Sequence, residues 1–442
     1  MRVLIVELRP RKIRLAHLIM NFYGLDFGTA NTSLALNAGS NLALNAGSTT
    51  EVLRLLNQST SIPSTYFFDF EDNSECIGEQ AFDKFYFGDR GRFLRSFKSA
   101  LGTSTIDHEI QIKQNRFSIK QITQNFIGQI LTSAELMQGE NIESLVVGRP
   151  VQFVDADPVA DAKAQQQLLE IVTGLGVRHV EFQFEPIAAA LNYGITVEQE
   201  ELVLVVDIGA GTSDFSVVKF QPSQNATANA EVISNCGIHI GGNDFDKSIA
   251  LNKAMPLFGY QQRFKRREQL ELPNHYFINA ATWHKIDHLY DRKVINALKE
   301  IQPQISEPKL IQRLLDLINT RQLHKVLVEA ESVKKMLSDE TSANIDLDFI
   351  ERELLINIDK NSFEDLVNPL CLSIIESAKH AISLAGIAQK DIDTVYVTGG
   401  SMGIEQLFRM VVAEFQSAKI VDGDRATSVA KGLALYAQQV FR

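Results

Sequence analysis

One acidic turn occurs twice in this chain, and it limits the available folds more than any other feature. Val203–Val218 reads Val-Leu-Val-Val-Asp-Ile-Gly-Ala-Gly-Thr-Ser-Asp-Phe-Ser-Val-Val. The apolar, β-branched run predicts a buried strand. It delivers Asp207 into a tight turn built on Gly209 and Gly211, with Thr212 and Asp214 beyond, before a second apolar run returns. Glycines let backbone N–H groups approach an anion, so such a turn can cradle phosphate oxygens. A carboxylate at its lip makes sense when Mg²⁺ lies between, because that ion takes one or two carboxylates together with phosphate oxygens and water. Alone, the segment fits an ordinary glycine-rich hairpin equally well. Tyr23–Leu36, however, reads Tyr-Gly-Leu-Asp-Phe-Gly-Thr-Ala-Asn-Thr-Ser-Leu-Ala-Leu and puts Asp26, Gly28 and Thr29 in the same roles. Two copies about half a chain apart predict a duplicated unit whose turns face each other across a cleft.

Size agrees, since 442 residues with 45% hydrophobic content can build at least two lobes. A net charge of -11 argues against nucleic acid as the main partner. It leaves room for a phosphate-bearing small ligand, whose site is local and whose metal carries positive charge. Cys76, Cys236 and Cys371 are few, odd in number and far apart, so neither a disulfide framework nor a zinc cluster is expected, and a reducing cytoplasm is the expected setting. No apolar run is long enough for a membrane span. Met1–Ile19 is rich in arginine, but Glu7 breaks any signal-peptide core. Residues 1–19 are therefore read as an upstream extension outside the fold, with Met20 an alternative start. Leu34–Ser40 is repeated at Leu42–Ser48, which reads as a tandem duplication lengthening a surface loop.

A third apolar strand, near Val395, ends in Gly399-Gly400-Ser401. With the two Asp turns, it resembles the phosphate and adenosine signatures of the actin-like ATPases. Phe184-Glu185-Pro186-Ile187-Ala188-Ala189-Ala190-Leu191-Asn192-Tyr193-Gly194 and Ile240-Gly241-Gly242-Asn243-Asp244-Phe245-Asp246 are similar to segments of the DnaK-type seventy-kilodalton heat-shock chaperones. The similarity runs from about Asn21 to the C-terminus. It implies an α/β fold of two actin-like, ribonuclease-H-like lobes, with residues 20–200 as lobe I, residues 201–442 as lobe II, and a helical insertion over residues 251–325.

The resemblance also implies a site for ATP or ADP with Mg²⁺. Asp26 and Asp207 would hold the metal through water. The turns Gly28-Thr29-Ala30 and Gly209-Ala210-Gly211-Thr212 would bind β- and γ-phosphate, with Gly241, Gly242 and Asn243 beneath them. Lys98, in Arg92-Phe-Leu-Arg-Ser-Phe-Lys98, would bring charge to the γ-phosphate, with Arg95 as its rival. Glu185 would orient the attacking water, although a carboxylate in a first helical turn also suits the helix dipole. Thr212 and Asp207 would join Glu185 and Lys98 in the catalytic set. Glu331, Lys334, Lys335 and Ser338 share one face of a helix, commonly a solvated stripe. The family uses that face for adenine and ribose. Gly399, Gly400, Ser401 and Met402 would support the base.

The chain departs from the family at several positions, among them Asn243, which stands where the family has an acid. Ala30 stands for a second threonine, Ala426 for a late acidic residue, and Gly403 for an arginine that stacks on adenine. Loss of that contact predicts a cost of about 0.5–2 kcal/mol in binding. No β-rich peptide-binding domain is expected after Phe441-Arg442, as in the short YegD-like group. The expected function is a monomeric, slowly hydrolysing, chaperone-like ATP switch that works with a protein partner or client. A small-molecule kinase, an actin-like filament protein and a nucleotide sensor without turnover are the alternatives.

Overall fold

The computed structural model describes residues 21–38, 49–222 and 229–442. The expected N-terminal extension and the second repeat copy, Leu42–Ser48, lie outside these residues.

Two sheets of one topology form the centre. In the first, β1 (Asn21–Phe27), β2 (Asn31–Ala38) and β3 (Thr49–Val52) run antiparallel, and β4 (Ser144–Arg149) and β5 (His179–Phe184) extend the other side of β1 in parallel. In the second, β6 (Glu201–Ile208), β7 (Ser213–Gln221) and β8 (Asn229–Ile238) are antiparallel, with β9 (Thr394–Thr398) and β10 (Lys419–Asp422) parallel beyond β6. The strand orders β3-β2-β1-β4-β5 and β8-β7-β6-β9-β10 correspond one to one. The doubled acidic turn is therefore the local trace of a doubled sheet. Val203–Ile208 is wholly buried because both faces of β6 are covered, as an uninterrupted apolar run requires.

Helix α1 (Glu185–Gly194) follows β5 directly, with Pro186 in the first turn, where its missing N–H costs nothing. At the other end of the chain, α4 (Ser428–Phe441) crosses back to pack on α1, β1 and β2. Helices α1 and α4 share a core with strands of both sheets, through Ala188, Val146, Val205, Tyr396 and Leu433. The approach of α4 is close enough that a Cβ on Gly24 would lie 2.3 Å from the Ala434 amide, and one on Gly432 would lie 1.7 Å from the Ala188 carbonyl oxygen. The last helix in sequence thus completes the first lobe.

Each lobe carries an insertion above the cleft. In the first, Glu75–Ile77, Thr65–Asp69 and Gly91–Arg95 form a sheet with the helix Gly78–Phe87. In the second, residues between α2 (Gly242–Ile249) and α3 (Leu323–Asp339) are mainly helical. The basic run Arg263–Arg267 belongs to a hairpin of Arg263–Phe264 with Arg267–Glu271. Two helical pieces, Trp283–Tyr290 and Arg292–Ile301, meet at Asp291, which caps the second by accepting from the Lys293 amide.

The two insertions meet. Arg92 forms a buried ion pair with Asp287 and lies over the Tyr290 ring, its guanidinium carbon 4.5 Å from the centroid. Arg95 pairs bidentately with Glu331 and lies 4.3 Å over Trp283. The His324 ring packs edge-on against Phe85 and Phe93. These contacts roof the space between the lobes.

Candidate functional site

Beneath that roof lies a cavity of about 450 Å³ lined by both lobes. Asp26, at the end of β1, and Asp207, at the end of β6, both line it. The turns that follow them touch, since a Cβ on Gly211 would lie 2.6 Å from the Thr29 hydroxyl oxygen. Asp214 stands opposite Asp207 in the β6–β7 register and also lines the cavity. Its Oδ1 accepts from the Val151 amide at 2.6 Å, which ties the second hairpin to the first lobe.

Lys98 sits on the short helical turn Phe97–Ala100 and donates to Glu185 Oε1 at 2.6 Å. The turn is entered through Ser96, a non-glycine residue in the left-handed region at φ 59°. Asn243, from the second lobe, donates to the Ser96 hydroxyl at 3.2 Å. The placement of Lys98 therefore depends on a contact between lobes.

The floor is electrostatically unbalanced. Burial, then the Glu185 charge, pushes Asp26 up to about 7 against the pull of Lys98. Burial and Glu185 likewise raise Asp214 to about 7, against hydrogen bonds from Thr212 and the Val151 amide. Asp207 is raised well above the ordinary carboxylate range by burial, then by Glu185, Asp214 and Asp26. Buried carboxylates that repel one another either retain protons or take a cation. Among the described residues no three acidic, histidine or cysteine side chains are grouped to enclose a metal by themselves, and a pair of carboxylates suits Mg²⁺, which keeps several waters and takes one or two carboxylates together with phosphate oxygens. The glycine turns beside it leave backbone accessible for phosphate oxygens.

Most residues expected from the sequence meet in this cavity. Gly28, Thr29, Ala30, Gly209, Ala210, Gly211, Thr212, Gly242, Asn243, Glu331, Lys334, Lys335, Ser338, Gly399, Gly400 and Ser401 all line it, with Lys98 and Glu185. Gly241 lies behind the second turn, where a Cβ would meet Ala210 backbone at 2.6 Å. Met402 also falls outside the lining, with its side chain in the core of the second lobe. Arg95, the rival to Lys98, is held by Glu331 in the roof.

Two residues of the α3 stripe are already held by partners from other elements. Burial works against ionised Glu331, yet the charge and hydrogen bonds of Arg95 hold its carboxyl below the ordinary range. Lys334 pairs with Asp246 at 2.6 Å and donates to the Gly242 carbonyl at 2.9 Å, which anchors the start of α2. Ser401 donates to the Gly209 carbonyl at 2.7 Å, fixing the glycine strand end to the second turn. Sequence reasoning did not assign Asp214 or Arg425 to the site. The hairpin symmetry of Asp207 and Asp214 was a usable signal for the first, whereas nothing in the local pattern marks the second.

The family model described as Hsp70 protein matches residues 96–274 and 299–440. The chain belongs to the Hsp70 family. Its two-lobed α/β architecture is that of the nucleotide-binding, chaperone-like ATPases of this family, which bind ATP and ADP. The match begins at Ser96, so the first acidic turn lies outside it; there, the corresponding strand order and shared cavity supply the parallel. Among the described residues no helix is long and apolar enough to cross a membrane.

Proposed function

We propose that this Hsp70-family chain is a slow, Mg²⁺-dependent ATPase whose output is the opening and closing of its two lobes. The observation that carries this reading is the convergence of Asp26 and Asp207, from corresponding hairpins of opposite lobes, on one cavity. Asp26 and Asp207 would hold the metal, with Asp214 beside them. When bound, the cation neutralises charge on the phosphate oxygens. The 28–30 and 209–212 turns position the phosphates. Lys98 supplies a point charge beside them, and Glu185 orients a water for attack. Because Lys98 and Glu185 are already hydrogen-bonded, each limits where the other can point.

The switch would act on a protein partner or client rather than on nucleic acid. The net charge of -11 supports that choice. A monomer in a reducing cytoplasm fits the three free cysteines of the described residues.

Phosphate release by wild type and Lys98→Ala tests the proposal. The variant should lose about 10²–10³-fold in rate, the scale of one preorganised electrostatic group. Equal rates would remove Lys98 from the mechanism, and no magnesium-dependent release by wild type would remove the ATPase reading.

A further inference from the structure

The missing arginine at position 403 predicts a bare base pocket, and the structure places another guanidinium there. Arg425 lines the cavity together with Gly403, Ile404 and Ala426. Its Nη1 lies 3.7 Å from where a Cβ on Gly403 would stand. Arg425 comes from the loop between β10 and α4, remote in sequence from the Gly400–Gly403 turn.

Its side chain is held in one plane. Nε donates to Asp422 Oδ1 at 2.9 Å and Nη2 to Asp422 Oδ2 at 2.7 Å, a fork-to-fork pair. The backbone that carries it is fixed as well. The Asp424 carboxylate accepts from the Ala426 and Thr427 amides at 3.2 and 3.0 Å, and from Lys431 at 2.8 Å. Burial would raise Asp424, yet Lys431 and Thr427 hold it down at about 2, so this anchor stays ionised under ordinary conditions.

With phosphates on the two acidic turns, the base of a nucleotide must lie toward the rest of the lining, which includes Gly400, Gly403 and Arg425. The space over Gly400 is open, since a Cβ there would meet nothing within 4 Å. A planar, weakly hydrated cation beside an open glycine surface is a stacking platform for a flat aromatic ring.

We infer that Arg425 is the base platform of this site, its guanidinium lying against the purine of the bound nucleotide in place of the side chain that Gly403 lacks. The inference rests on the nucleotide reading above. It makes Arg425 a specificity-determining contact, and it makes Asp422 the positioning residue that orients it.

Titration calorimetry with magnesium ADP and with magnesium pyrophosphate, which has no base, separates the possibilities. Arg425→Ala should weaken ADP binding by about 3–30-fold and leave pyrophosphate within about twofold. Arg425→Lys, which keeps the charge and loses the plane, provides the same selective readout should the alanine variant fail to fold. Adding Gly403→Arg to Arg425→Ala should restore much of the ADP affinity without changing that for pyrophosphate. Unchanged ADP affinity in Arg425→Ala, or equal losses for both ligands, would overturn the inference. Wild type that binds pyrophosphate but not ADP would overturn it while sparing the phosphate turns. Wild type that binds neither would overturn the nucleotide reading itself.

Discussion

At the floor of the cleft, Asp26, Asp207, Asp214 and Glu185 line one cavity with Lys98, which pairs with Glu185 alone, whereas at the roof Arg92 and Arg95 each meet a carboxylate of the opposite lobe. Both regions bury charge. Roof cations have paired carboxylates and an aromatic face as well, Tyr290 for Arg92 and Trp283 for Arg95. Floor carboxylates gain affinity for protons first because they are buried and then because their charges repel one another. The difference separates two tasks. A roof with internal balance can close as a protein–protein contact, while an unbalanced floor gains most when a cation arrives.

Breaking the roof should have the largest effect. Arg92→Ala leaves Asp287 buried without its partner, and removing one member of such a pair costs about 3–5 kcal/mol. Chemical denaturation measures this, and a loss below about 1 kcal/mol would mean that water screens the roof as at an open surface. The floor should respond in the opposite direction. Asp207→Asn removes one of the buried acids whose charge the folded protein disfavours, so the ligand-free protein should become measurably more stable. The same variant should lose the thermal stabilisation that magnesium ADP gives wild type. A ligand-free protein that is destabilised by this change would contradict the contrast drawn here.

The pH dependence sharpens the comparison with a smaller effect. The folded values of Asp26 and Asp214, about 7, lie above the ordinary carboxylate value, so the folded state binds these protons more tightly than the unfolded chain does. Their contribution to stability is therefore complete below about pH 4 and is lost as pH rises through about 7. Between about pH 5 and pH 8 the melting temperature of ligand-free protein should fall by a few degrees on this account. Asp207→Asn should flatten the slope and Arg92→Ala should leave it unchanged. Binding of magnesium ADP should release protons near neutral pH, which calorimetry in buffers of different ionisation enthalpy detects.

Much of the floor was legible because it is built from local pattern. Each acidic turn is a contiguous string whose hairpin pairing follows from alternating apolar runs, and the same register that pairs Asp207 with Asp214 was implicit in it. Helix α1 was equally plain, opening on Glu185-Pro186 and closing at Gly194. The roof was not legible, since Arg92 and Asp287 are distant in sequence and nothing near either names the other. The α3 stripe lies between these cases. Helical spacing put Glu331, Lys334 and Ser338 on one face, but it could not show that Arg95 and Asp246 already hold two of them. Met402 was misplaced for a related reason. The Gly400–Gly403 turn sends Ser401 to the cleft and Met402 to the core, and a list of neighbours in sequence carries no such directions.

The position of α4 has a consequence for how the polypeptide is made. The first lobe leaves the ribosome early, yet the faces of β1 and β2 that α4 covers must wait for Ser428–Phe441 to be synthesised. Until then Gly24 and the exposed side of α1 lack their final neighbour, a long-range closure of the kind that slows folding and favours chaperone custody of the nascent chain. The last helix to be made thus sets when the first lobe can finish folding.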